Sequence, residues 1–193
     1  MNALALSLAL LLTGTALASD PKVLVESKYA EIKAIVATDK TDAGVQQKVT
    51  AVLESFTDFT EFSRQTMKGS WEKLNDKQRT LFTERYRLLL HKSYIKHFKA
   101  GQPLEVGFRG DVEVVEDKAL VPTTVKSGDT EAEVDYKLVK KPAGFMVYDL
   151  VIDEVSLMRS YRKQFNAIFE KDGFDALIKK IDERIAKNDT KVD

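Results

Sequence analysis

Apolar positions change period along this chain, from helical spacing to strict alternation and back to helical spacing. Val23, Leu24, Tyr29, Ile32, Ile35 and Val36 fall on one helix face, and Asp20-Pro21 offers a start with proline at a tolerated first-turn position. The pattern predicts an amphipathic helix to about Thr38. A polar turn, Thr38 to Gly44, leads to a second helix marked by Val45, Val49, Val52, Leu53 and Phe56. Phe59, Phe62 and Met67 predict a third, ending near Gly69, and Trp71 is expected to be buried where these helices meet. The longest helix is expected from Asp76 to about Lys99. Asn75 and Gln78 have capping-box spacing before it, and Phe82, Tyr86, Leu90, Tyr94 and Phe98 form a ladder one turn apart, flanked by Leu81 and Leu89.

From Gln102 the pattern alternates. Leu104, Val106 and Phe108 predict a strand, Gly110-Asp111 a turn, and Val112–Glu116, Ala119–Lys126, Thr130–Lys140 and Gly144–Asp153 further strands. Asp117-Lys118, Ser127-Gly128-Asp129 and Lys141-Pro142-Ala143 read as hairpin turns. Pro122 lies inside one strand and predicts an edge or a bulge there.

The last strand runs straight into a helix. Phe145, Val147 and Val151 alternate with Met146, Tyr148, Leu150 and Ile152, so both faces are largely apolar, as in a strand covered on both sides or lining a hollow. Asp149 interrupts one face and has to be hydrogen-bonded or near water. Ser156 reads as an N-cap, with a hinge over Asp153 to Ser156. Leu157, Met158, Tyr161, Phe165, Ile168 and Phe169 then mark a helix, and a last one carries Phe174, Leu177, Ile178, Ile181 and Ile185. Helices, then an antiparallel meander, then helices give an α+β fold.

Composition narrows the function. Lysine plus arginine equals aspartate plus glutamate, 30 each, so no overall basic field attracts nucleic acid. The absence of cysteine excludes disulfides, thiolate nucleophiles and zinc-thiolate sites. Leu4 to Leu12 is a short apolar run, and Ala16-Leu17-Ala18 places small residues where a signal peptidase reads. The expectation is a signal peptide over residues 1–18, cleaved after Ala18, followed by one domain over residues 19–193.

Candidate chemistry is sparse. His91 and His97 lack the spacing of a helical zinc pair and read as solvent-facing or helix-flank residues. No glycine-rich phosphate loop or nucleophile elbow occurs, and no metal or cofactor is expected. Asp149 in an apolar setting is the one group an isomerase or dehydratase could use as a base. The simpler reading pairs it with Arg162 or a tyrosine hydroxyl. Arg159 and Arg162 lie in the first turns of a helix, where positive charge could meet a phosphate.

One string is distinctive. Asp149, Val155-Ser156-Leu157 and Tyr161-Arg162-x-Gln164-Phe165 resemble the C-terminal signature of the MlaC, or toluene-tolerance, family of periplasmic phospholipid carriers. Gly69-x-Trp71, Gln78, Phe82, Leu90 and Tyr94 extend the resemblance. Phe145 stands where the family usually has Trp, Tyr86 where it has Phe, and Glu154 where it has Gly. The resemblance implies a cone-like curved sheet wrapped by helices, similar to the nuclear-transport-factor fold, around an apolar cavity. It implies an inner-membrane transporter of the ATP-binding-cassette type and an outer-membrane lipoprotein complex as partners.

An acyl chain suits such a hollow, because each methylene withdrawn from water is worth about 0.8 kcal/mol. The residues expected to line it are Phe82, Tyr86, Leu90, Tyr94, Val106, Val125, Tyr136, Val147, Val151, Val155, Tyr161 and Phe165, with Ser156 and Arg162 at the head group or hinge. The rival expectations are a fully packed structural or chaperone-like module and an enzyme using Asp149.

Overall fold

The computed structural model describes residues 20–187; the expected signal peptide, its cleavage after Ala18 and the polar tail from Asn188 lie outside the described residues. Each early helix starts where a side-chain oxygen takes up free N–H groups. Asp20 accepts from Lys22 and Val23 ahead of α1 (Pro21–Thr38), Thr41 from Gly44 ahead of α2 (Asp42–Phe56), and Asp58 from Glu61 ahead of α3 (Phe59–Thr66). The reciprocal Asn75–Gln78 capping box opens α4 (Asp76–Tyr94).

α4 ends at Tyr94, short of the expected Lys99, and tightens into a 3-10 turn over Ile95–His97. The chain beyond is tied to α1 and α2 instead. The Ala100 N–H donates to Asp42 at 2.9 Å and the Gly101 N–H to the Val36 carbonyl at 2.8 Å. Phe98 therefore leaves the ladder and packs with α1 and α2.

The six strands are β1 (Leu104–Phe108), β2 (Glu113–Val115), β3 (Lys118–Ser127), β4 (Thr130–Lys141), β5 (Gly144–Ile152) and β6 (Val155–Ser156). They form one open antiparallel sheet in the order β1-β3-β4-β5-β6, with β2 beside β1 on the same flank of β3. Pro122 thus sits in an interior strand, and that strand has no bulge at it. The β1 pairing stops at Phe108–Thr123 and the β2 pairing at Glu113–Leu120, so the missing proline donor faces the break between them. Arg109, leaving β1, donates its N–H to the Pro122 carbonyl there at 3.0 Å. The register shift lies elsewhere, where Lys137 pairs with Asp149 and Leu138 with Val147, leaving Tyr148 of β5 as the extra residue.

A two-residue turn joins β5 to β6, with Asp153 at φ 46° and Glu154 at φ 68°, the signature of a type I′ hairpin turn. α5 (Leu157–Lys187) follows and breaks at Gly173, whose φ of 85° separates the two helices expected from the sequence.

Two apolar clusters result. One joins α1 and α2 to the sheet through Val25, Val36, Val49, Phe56, Val121, Leu138 and Val147. The other joins α3, α4 and α5 through Phe62, Trp71, Phe82, Tyr86, Tyr161, Phe165 and Leu177. Leu150 packs against both.

Candidate functional site

An apolar cavity of about 90 Å³ lies on the seam between the two clusters. Leu53 and Phe56 of α2, with Thr57 and Phe59 at the α2–α3 corner, form one side of it. Leu90, His91 and Tyr94 of α4 form another, and Tyr136, Val147 and Leu150 of the sheet form the floor. The corner is fixed to the floor, since the Asp58 N–H donates to the Val147 carbonyl at 2.8 Å. The space equals roughly three waters by volume, whereas ligand pockets run to about 300–1,000 Å³. A larger ligand would have to part the two clusters along this seam.

The sequence-predicted lining residues separate into groups. Leu90, Tyr94, Tyr136 and Val147 meet at the cavity. Phe82, Tyr86, Tyr161 and Phe165 do not line it; each is at most 1% exposed, inside the helical cluster. With Phe62 they make six ring pairs with centroids 5.2 to 5.8 Å apart. Such pairs add about 0.5–1.5 kcal/mol each, so this wall is closed firmly. The Tyr86 hydroxyl, where the family usually has Phe, accepts from Thr66 at 3.4 Å.

Val106 lines a separate cleft between α1 and β1, and its cross-strand partner Val125 packs on the sheet-side cluster. Val151 is partly buried away from the cavity lining, and Val155 is 50% exposed at the β6 turn.

Tyr136 also carries a polar contact. Its hydroxyl and that of Tyr29 of α1 lie 2.5 Å apart, with the rings edge-on. Burial, ahead of any other influence, pushes the Tyr136 phenol up to about 12 and raises that of Tyr29 as well. This wall rests on one ring pair and one neutral hydrogen bond worth about 1 kcal/mol net, against six ring pairs in the aromatic one.

Asp149 does not line the cavity. It is fully buried, with Oδ1 accepting the Met158 N–H at 3.0 Å and Oδ2 accepting Ser156 Oγ at 2.7 Å and Lys137 Nζ at 3.2 Å. Ser156 Oγ in turn accepts the Arg159 N–H at 3.1 Å, as expected of an N-cap. The expected pairing of Asp149 with Arg162 is corrected by these contacts: Lys137, directly across the ladder, reaches it instead.

Arg162 points the other way, donating from Nε and Nη2 to the Gln65 carbonyl at 2.9 and 2.6 Å. Asn166 donates to the next carbonyl, of Thr66, so α5 satisfies the open end of α3. These bonds tie α5 to α3.

Leu53, Phe56, Thr57, Phe59, Phe62, Ile95, Leu150 and Leu157 line the cavity outside the expected set, and so does His91, expected toward solvent or on the helix flank. Its Nδ1 lies 3.7 Å from Glu54, which also meets Arg87 at 3.5 Å, and its ring stacks edge-on against Phe59. Its Nε2 is buried without a hydrogen-bond partner. Burial holds this imidazole below its ordinary value, assisted by Arg87 and opposed by Glu54. The signal was available: Tyr94, three residues on, neighbours His91 on the helix surface. Among the described residues, no helix is long and apolar enough to cross a membrane.

Comparison with known proteins adds to this geometry. The family model described as MlaC protein matches residues 26–183. No curated protein sequence matches the chain. Among solved structures, a phospholipid-binding protein from Ralstonia solanacearum, in complex with a phospholipid, superposes with a TM-score of 0.79 at 22% identity. That match covers 88% of this chain and 99% of the other.

Proposed function

This chain belongs to the MlaC family, and from that premise we propose that it is a carrier that encloses the acyl chains of a phospholipid. The observation that supports this reading most directly is the apolar cavity on a seam between two separately packed clusters. A seam can widen without dismantling either cluster. The gain on loading is large, since about 0.8 kcal/mol per buried methylene amounts to well over 10 kcal/mol for two chains. That gain can offset the separation of a limited apolar contact.

Apolar walls recognise the tails and leave the head group near the surface, so the carrier discriminates poorly among head groups. The mature protein acts in the periplasm, after removal of residues 1–18, as a single lipid-binding domain. It takes lipid between an inner-membrane transporter of the ATP-binding-cassette type and an outer-membrane lipoprotein complex. The capping role of Asp149 favours a carrier over an enzyme, because all its close donors are structural.

Native mass spectrometry of the purified protein, with organic extraction of the same sample, tests the reading. The expected result is a mass increment matching one or more phospholipids, recovered in the extract. A bare protein mass from cells with abundant phospholipid, or from protein incubated with vesicles, would overturn it.

A further inference from the structure

Resting on the lipid-carrier reading, we propose that the Tyr29–Tyr136 hydrogen bond is a gate. The cleft behind it, between α1 and β1, takes the distal end of a long acyl chain. Tyr136 lines the seam cavity, and Tyr29 lines a second cleft of about 220 Å³. The two hydroxyls meet across the boundary at 2.5 Å. Leu104, Val106 and Phe108 give the cleft apolar walls, while Glu26 and Lys33 mark its outer rim.

The direction follows from the relative strength of the walls. A chain entering at Leu53 and Leu90 soon exceeds about 90 Å³ and has to displace something. Toward α5 it meets the interlocked rings of Phe82, Tyr86 and Phe165. Toward α1 it meets one edge-on ring pair and one hydrogen bond between neutral hydroxyls, against three ring pairs on the other side. Parting them joins the cavity to the cleft. The extension also gives a place to Val106, which faces the cleft and not the main cavity.

The test uses the full chain, stripped of lipid and loaded with either dipalmitoyl or dihexanoyl phosphatidylglycerol, with retention read by native mass spectrometry. Val106→Trp fills the cleft and is expected to weaken dipalmitoyl retention about fourfold for each methylene displaced, leaving the dihexanoyl lipid unaffected. Tyr29→Phe keeps the ring but removes the bond that loading breaks, and is expected to strengthen dipalmitoyl retention roughly fivefold. If Val106→Trp does not fold, Tyr29→Phe decides alone. Wild-type retention of both lipids in both variants would overturn the gate while leaving the carrier reading intact. Failure of the wild-type chain to hold either lipid would overturn both.

Discussion

Ser156 donates its hydroxyl to Asp149 across the β5–β6 turn, at 2.7 Å. The strand thereby caps the helix that follows it, because the other oxygen of the same carboxylate holds the Met158 N–H. One buried charge fixes the angle between β5 and α5, and Lys137 neutralises it from β4. Removing the carboxylate strands a half-buried ammonium and frees two helix-terminal donors. Asp149→Ala is expected to cost about 3–5 kcal/mol. Asp149→Asn, which keeps the acceptor for Met158, should cost less. Urea unfolding measures both, and an unchanged midpoint for Asp149→Ala would contradict the capping role.

The same turn stores strain. Glu154 holds φ 68°, a conformation that a side chain disfavours and glycine does not. Asp153, also at positive φ, is compensated by accepting the Glu133 N–H at 2.9 Å. Glu154→Gly is expected to stabilise the protein by about 1 kcal/mol, seen as a higher urea midpoint with unchanged slope.

Arg162 bridges α5 to the last turn of α3 through one carbonyl. Its loss removes two charge-assisted bonds, so Arg162→Ala should destabilise by about 2 kcal/mol. Arg162→Lys recovers part of this, since an ammonium cannot donate as a fork. Head-group preference in lipid loading is expected to stay unchanged in both variants. A selective loss of anionic lipid would assign Arg162 to the head group instead.

Much of the fold is legible in the sequence, because capping residues and period changes are local. Asp20-Pro21, Asn75 with Gln78, and the turn residues of the meander mark boundaries that the structure shares. The end of α4 was hidden because it depends on Asp42 and Val36, far away in sequence. The site was half legible for a related reason. Phe82, Tyr86, Leu90 and Tyr94 have identical spacing, yet the first two meet rings from α5 and the last two face the seam. A ladder shows that a helix face is apolar; whether the opposing face fills it depends on residues the period does not encode.

His91 makes stability pH-dependent. Its folded value is depressed, so the folded chain binds fewer protons than the unfolded one once pH falls toward the ordinary imidazole value of about 6.5. The contribution is intact above that value and is lost as pH drops below it. Melting temperature should fall from pH 8 to pH 5, and His91→Gln should flatten that decline. An equal slope in the variant would mean that other groups dominate.

Tyr136 acts at the opposite end of the scale. Its phenol is raised to about 12, so its stabilising contribution is complete below the unfolded value of about 10 and is lost as pH rises through the folded one. Ultraviolet titration of the wild type against Tyr136→Phe should show the missing ionisation near the upper value. A difference near the ordinary phenol value would place Tyr136 in contact with water.

On the carrier reading, lipid tails occupy the seam between the two clusters. Loading the protein with a phospholipid that carries a photoactivatable group along one acyl chain, then mapping the cross-linked peptides, shows whether they do. Adducts concentrated at Leu53, Phe59, Leu90 and Leu150 are the expected result. Adducts confined to exposed positions such as Val114 and Val115 would contradict it.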